Sequence, residues 1–350
     1  MDTFESLVRA EFTPKNTFLN TASNGLLPAR TTAALDRAVR MRAEGISLVP
    51  LYDEVEAVRA SVARLAGVPV RQVAAGTSVA EFGALIAAAL PAGAEVLTAE
   101  ADFASLVNPF HMRGDLKVRA VPLERLAESV RAETELVAVS VVQSADGRLA
   151  DLTAVREAAR ARGARVYVDA SQSIGWLPID PDSYDFLAAV GFKWLLGPHG
   201  AAFFVVPEDL GALTPLLAGW VAGEAPWDSC YGPVEELAHS ARRFDISPAL
   251  FTHAGLRASL DLIEELGVAA VHAHDVALAD RFRTGLHALG HTPLAAPGSA
   301  IVSVPGLGGH QPRLSAAGIE VSDRAGNLRA AFHLYNTPAD VDRLLSTLST

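Results

Sequence analysis

The chain has 350 residues, half of them hydrophobic and 20% charged, so it is long and apolar enough to build a large core and is not a disordered protein. With 40 acidic against 29 basic residues the formal net charge is −11, which repels a phosphate backbone and excludes nucleic acid as the expected partner. The single cysteine, Cys230, excludes an intrachain disulfide and a cysteine-based zinc cluster, and is expected to pack as a small hydrophobe.

The start, Met1-Asp2-Thr3-Phe4-Glu5, is acidic where a secretory leader is basic and then apolar. The longest weakly polar run, residues 82–94, carries Pro91 and Gly93 and is too short for a bilayer. The expectation is a cytoplasmic, globular protein without membrane contact. In chain order, the first chemistry-bearing segment is Gly76-Thr77-Ser78, opening a helical run over residues 79–90. A glycine, two hydroxyls and a fresh helix N-terminus make either an ordinary N-cap or a phosphate cradle.

Short apolar or alternating runs at 95–98, 117–121, 136–142, 165–168 and 201–206 read as strands. A helix over 152–162 lies among them and ends at Gly163 behind basic residues. This alternation predicts a parallel or mostly parallel sheet covered on both faces. From 213 to 247 the pattern turns irregular, rich in Gly, Pro and Trp. Helical patterns follow at 254–266 and 268–289, then a β-like piece at 300–304, a run at 328–334 and a terminal helix from about Pro338. The predicted division is a large domain over 15–245 and a smaller α+β domain over 246–350, with 1–14 packing on the smaller one.

Ligands of open parallel sheets bind at the carboxyl ends of the strands, so polar residues just past each strand are the candidates. Asp169 follows Val166-Tyr167-Val168 and either caps a turn or faces a cationic ring nitrogen. Lys193 stands in Gly191-Phe192-Lys193-Trp194-Leu195-Leu196-Gly197-Pro198. A lysine among such neighbours either snorkels to water or has its pKa lowered by an apolar pocket, as imine formation with an aldehyde requires. There is no Gly-x-Gly-x-x-Gly and no P-loop, which counts against a dinucleotide or ATP. Phosphate cradle, acidic partner and apolar-pocket lysine together are what pyridoxal 5′-phosphate requires.

Val168-Asp169-Ala170-Ser171-Gln172, Tyr184-Asp185-Phe186 and the Lys193 run resemble the core signature of the class V aminotransferase family. That family includes cysteine desulfurases, kynureninases and isopenicillin-N-epimerase-like proteins. Phe18-Leu19-Asn20-Thr21-Ala22-Ser23, Arg243-Phe244-Asp245 with Ser247-Pro248, and the run from Leu328 to Thr337 with Asp340 extend the resemblance along nearly the whole chain. It implies the α/β fold of fold type I pyridoxal-phosphate transferases: a large domain with a mostly parallel seven-stranded sheet plus a smaller α+β C-terminal domain. It also implies a homodimer with active sites at the subunit interface.

Carried over by position, the resemblance makes Lys193 the Schiff-base lysine and the base that moves the α-proton. Asp169 would hold the pyridine nitrogen protonated, Gln172 would bond the phenolic oxygen, and Phe103 would stack on the ring. Thr77, with Ser78 beside it, would bind the phosphate, as would Ser247 from the partner subunit. Arg329 would clamp the substrate carboxylate, and Asn20 would sit in the segment closing the substrate mouth. The function implied is that of an enzyme acting on an amino acid, an aminotransferase first, with a C–S or β-lyase or an epimerase as alternatives and a non-catalytic binding protein behind them.

Cysteine desulfuration is disfavoured. Residues 319–327 carry no cysteine, and Phe103 and Phe192 cannot shuttle a proton. His272 and His274 are two apart on a helix and do not share a face, so no metal is expected. His199 reads as a turn residue, Trp220 and Trp227 as entrance, interface or core residues, and Arg243 as structural.

Overall fold

A computed structural model describes residues 3–349. The chain opens with α1 (Thr3–Glu11), a two-residue strand β1 (Thr17–Phe18), α2 (Ala29–Ala43) and α3 (Leu51–Ala66). It then builds the main sheet from β2 (Val73–Gly76), β3 (Glu95–Ala99), β4 (Lys117–Val121), β5 (Thr134–Ser140), β6 (Arg165–Asp169), β7 (Phe186–Val190) and β8 (Ala202–Val205). Helices α4 (Val79–Ala89), α5 (Ala104–Met112) and α6 (Leu152–Arg162) connect them.

The strand order is β2-β8-β7-β6-β5-β3-β4. Every neighbouring pair is parallel except those of β8, which runs antiparallel to β7 and β2. Residues 191–201 join β7 directly to β8 without a crossover helix, so the second strand must return antiparallel. This is the mostly parallel seven-stranded α/β sheet that the resemblance implies.

Alternate residues of each strand feed two separate cores, one on each face. Ala74, Leu136, Tyr167, Phe186 and Phe204 face one side; Val73, Val137, Val166, Leu187 and Phe203 face the other. The edge strand β4 is half-exposed and carries Lys117 and Arg119, charges that discourage further pairing.

Beyond the irregular stretch come α7 (Leu250–Leu266), α8 (Val268–Ala288), β9 (Ile301–Val304), α9 (Gln311–Ala316), β10 (Ile319–Glu320), β11 (Ser322–Arg324), β12 (Asn327–Ala331) and α10 (Pro338–Leu348). Strands β11, β12 and β9 form an antiparallel three-stranded sheet, and β10 pairs with β1. Phe282, Val302, Phe332 and Leu344 make the core of this part.

Some element bounds differ from expectation. The strand expected at 136–142 ends at Ser140: after the last ladder bond, from Val141 N to Asp169 O at 3.0 Å, the chain pairs instead with residues 148–150, Val142 bridging Leu149. The helix expected from 254 begins at Leu250. Helices α1 to α3 and strands β2 and β7 were not among the expected elements.

Candidate active site

The carboxyl ends of β6 and β7, the N-terminus of α4 and the β11–β12 hairpin surround a cavity of about 250 Å³, which Asp169, Lys193, Phe103, Ser78, Ser23 and Arg324 help to line. Asp169 closes β6, level with Ser140 on β5. It is 4% exposed, and its Oδ1 accepts from Ser171 N at 2.8 Å. Burial raises its pKa, while the Ser171 hydrogen bond and the charge of Lys193 pull it back down.

Lys193 is 7% exposed. Its pKa is lowered to about 8: burial is the largest cause, Asp169 opposes it, and Arg329 and Arg324 add to it. The ammonium lies 5.1 Å from the Phe103 ring centre and 5.8 Å from that of Phe192. Lys193 is therefore buried against the two rings and lines the cavity, as the apolar-pocket reading expects.

The backbone around Lys193 is held from three directions. Phe192 O accepts from Gly25 N at 2.9 Å, Trp194 O from His333 Nε2 at 3.0 Å, and Leu196 O from Ser259 Oγ at 2.8 Å. The turn closes at Leu196 with φ 57°, a left-handed conformation that side chains other than glycine's seldom adopt. Gly25 lies so close that a Cβ there would sit 2.2 Å from Lys193 O. The other ring nitrogen of His333 faces Asp275 Oδ2 at 2.8 Å, with both side chains fully buried.

Gln172 is buried with its amide donors on Ala22 O (2.8 Å) and Ser144 Oγ (3.1 Å), while its carbonyl accepts from Trp194 Nε1 (2.8 Å). It reaches the cavity through the Ser144 hydroxyl. Phe103 is 44% exposed at the start of α5. Asp102 fixes the loop before it, accepting from Phe103 N at 2.7 Å and from Ser140 Oγ at 2.5 Å.

Arg329, on β12, is 1% exposed. It donates to Ser322 Oγ (3.1 Å), to Ser144 O and Oγ, and to Ser23 Oγ (2.9 Å). All of these partners are neutral, and burial followed by the charge of Arg324 lowers its pKa to about 9. Arg329 is not among the residues that line the cavity; it stands behind Ser23 and Ser144, which do, and a desolvated guanidinium held only by neutral groups favours an anion nearby. Ser23 Oγ in turn donates to Asn20 Oδ1 at 2.8 Å, so Asn20 orients this group rather than lining the cavity.

Ser78 caps α4 and lines the cavity, whereas Thr77 is exposed and bonded to Glu81. Ser247 is exposed and lies outside the cavity lining. Its segment is nevertheless tied to the end of β2: Ile246 N donates to Ala75 O at 3.4 Å, and Ala75 N to Asp245 Oδ1 at 2.8 Å.

The sequence reading missed Arg324, Ser23 and Ser144. Arg324 comes to the cavity because Ala325 and Gly326, both at positive φ (52° and 81°), turn β11 back into β12.

Cys230 corrects an expectation. It is exposed, at the end of the short 3₁₀ turn Pro226–Ser229, and not packed as a hydrophobe. His199 stacks on Phe192 at 3.7 Å and meets Asn24 Oδ1 at 2.7 Å. His272 lies against Trp176, while His274 bonds to Asn336 O. Trp220 and Trp227 pack with Tyr52 around a second cavity beside Arg59 and Asp245.

Comparison with known proteins follows the same lines. The profile of the aminotransferase class-V family matches residues 44–344. An uncharacterised aminotransferase of Bacillus subtilis, YcbU, is 30% identical over 244 residues, 66% of this chain; the chain spans 64% of that relative, just under two thirds of its length. The isopenicillin N epimerase of Streptomyces clavuligerus is 29% identical over 383 aligned residues, covering 94% of this chain and 93% of its own. Among solved structures, the complex of the cystine C–S lyase C-DES with its product cysteine persulfide matches with a TM-score of 0.87 over 99% of both chains, at 22% identity. Likeness at that identity speaks for the fold.

Proposed function

The chain belongs to the class V aminotransferase family, whose cofactor is pyridoxal 5′-phosphate, and from that premise we propose that it is an aminotransferase that moves the amino group of an amino acid to a keto acid. The residues fit the cofactor. A buried amine with lowered pKa and a buried carboxylate share one cavity with an aromatic face and a capped helix N-terminus. When bound, the cofactor supplies an aldehyde carbon that takes up amino groups and a ring that withdraws electrons from the substrate Cα.

The observation that carries the reading is that, among the described residues of this chain that line the cavity, Lys193 and Asp169 are the two able to take up a proton, and Asp169 is assigned to the cofactor ring. Among the described lining residues Lys193 is joined by serines, apolar groups, the phenyl rings of Phe103 and Phe192, Asp169 and Arg324, with no histidine, tyrosine, glutamate or cysteine. Its lowered pKa leaves a useful fraction of free base near neutrality, fit to take a proton from Cα and return it elsewhere on the same side. An epimerase needs a second acid on the opposite face, and a desulfurase needs a thiol.

Asp169 is assigned to hold the proton on the ring nitrogen, Gln172 through Ser144 to the phenolic oxygen, and Phe103 to cover one ring face. Thr77 and Ser78 are assigned to the phosphate, and Arg329 to the α-carboxylate. Ser247, exposed beside the end of β2, is proposed to reach the phosphate of a second subunit in a homodimer.

The test is product analysis with ¹⁵N-labelled amino acids. Label appearing in a new amino acid when a keto acid is added supports the proposal. Pyruvate and ammonia formed without an acceptor would make it a lyase, and racemised substrate an epimerase.

A further inference from the structure

Thr77 directs both its backbone N–H and its hydroxyl at one atom, Glu81 Oε2, at 2.9 and 3.0 Å. Glu81 N donates in turn to Ser78 Oγ at 3.3 Å, so the first turn of α4 closes on its own carboxylate. Glu81 Oε1 is buried and has no hydrogen-bond partner. It is also pressed against the preceding turn, since a Cβ at Gly76 would lie 2.6 Å from it.

A carboxylate at the third position of a helix commonly serves as a cap. Here, however, it takes the donors assigned above to a phosphate. Each N–H or O–H offers one hydrogen, and two anions brought to the same donors repel.

We propose that Glu81 is a resident occupant of the phosphate cradle, which the cofactor phosphate must displace, so that this side chain sets the affinity for the phosphate-bearing cofactor. The inference rests on the assignment of Thr77 and Ser78 to the phosphate. Its Oε1 has no hydrogen bond to lose on leaving, and the freed Thr77 donors remain in place for the incoming anion.

The test is a spectroscopic titration of cofactor-free protein with pyridoxal 5′-phosphate and with pyridoxal, which has the same ring and aldehyde but no phosphate. Parent and Glu81→Gln are compared, because glutamine keeps the size and an acceptor for Thr77 while removing the charge. The expected result is a Kd for pyridoxal 5′-phosphate about tenfold lower in the variant, an unchanged Kd for pyridoxal, and a larger rise in melting temperature with inorganic phosphate. Unchanged affinity for the phosphorylated form, or equal gains for both compounds, would overturn the proposal and leave Glu81 as a cap alone. Glu81→Ala separates the two roles: it is expected to melt earlier without cofactor yet share the tighter binding. A parent that binds neither compound fails differently, because it removes the cofactor assignment itself.

Discussion

Arg324 and Arg329 donate to the same hydroxyl, Ser23 Oγ, at 3.0 and 2.9 Å. One guanidinium is exposed and the other buried, and only neutral groups hold the buried one. The arrangement concentrates positive charge at one wall of the cavity. Arg329→Gln is expected to raise KM for the amino acid about a hundredfold, as loss of a charge-assisted clamp does, without lowering the melting temperature, since it removes a desolvated cation. Arg324→Gln is expected to raise KM far less. Steady-state kinetics that invert this order would move the carboxylate to Arg324.

Lys193 couples stability to pH. Its pKa falls from the ordinary 10.5 to about 8 on folding, chiefly through burial. Between those values the unfolded chain binds a proton that the folded chain has released, so stability rises with pH across this window. Below pH 8 the buried ammonium costs the folded state the full difference, about 3 kcal/mol. Urea unfolding of cofactor-free protein at pH 7 and pH 10 is expected to show a larger gain in the parent than in Lys193→Met, where Arg329, its pKa lowered to about 9, still contributes. Identical pH slopes would mean that the ammonium is solvated.

Arg59 and Asp245 form a buried ion pair at 2.6 Å, with Arg59 also on Val73 O and Asp245 also on Ala75 N. Asp245→Ala strands the Ala75 N–H and leaves Arg59 with Val73 O and the more exposed carboxylate of Glu56 in place of its buried partner. Unfolding free energy is expected to fall by about 3–5 kcal/mol, measured by denaturant titration. A loss under 1 kcal/mol would show that water replaces the carboxylate at no great cost.

Gly25→Ala tests the packing beneath the lysine. The new methyl would meet Lys193 O at 2.2 Å and the Leu196 side chain at 2.7 Å, so the backbone itself must shift. The expected outcome is a loss of about 1–3 kcal/mol in stability together with weaker cofactor uptake. A variant with parental melting and a parental visible spectrum would show that the turn adjusts freely.

Much of the site was legible because its chemistry stands at strand ends. A lone lysine in an apolar run and an aspartate closing a valine-rich strand are local signals, and the structure brings both into one cavity. Arg324 was not legible: its position depends on a two-residue turn in which Ala325, a residue seldom found at positive φ, hides the hairpin. Strands β2 and β7 were missed because Val73-Ala74-Ala75-Gly76 and Phe186-Leu187-Ala188-Ala189-Val190 are short and apolar without alternation, a pattern equally suited to helix. Cys230 was misjudged because the irregular stretch around it offers no periodicity from which to infer burial.

The carbonyls of Phe192, Trp194 and Leu196 are taken by Gly25, His333 and Ser259, groups drawn from the beginning, the end and the last third of the chain. The lysine between them therefore acquires its setting only when these distant pieces have all arrived. The His333 contact cannot form until synthesis has passed that residue, 140 positions beyond the lysine, so a chain stopped before it would carry the lysine without its surroundings. In refolding, the yellow colour of captured cofactor would serve as a finishing mark, developing after secondary structure and keeping time with the docking of the C-terminal segment.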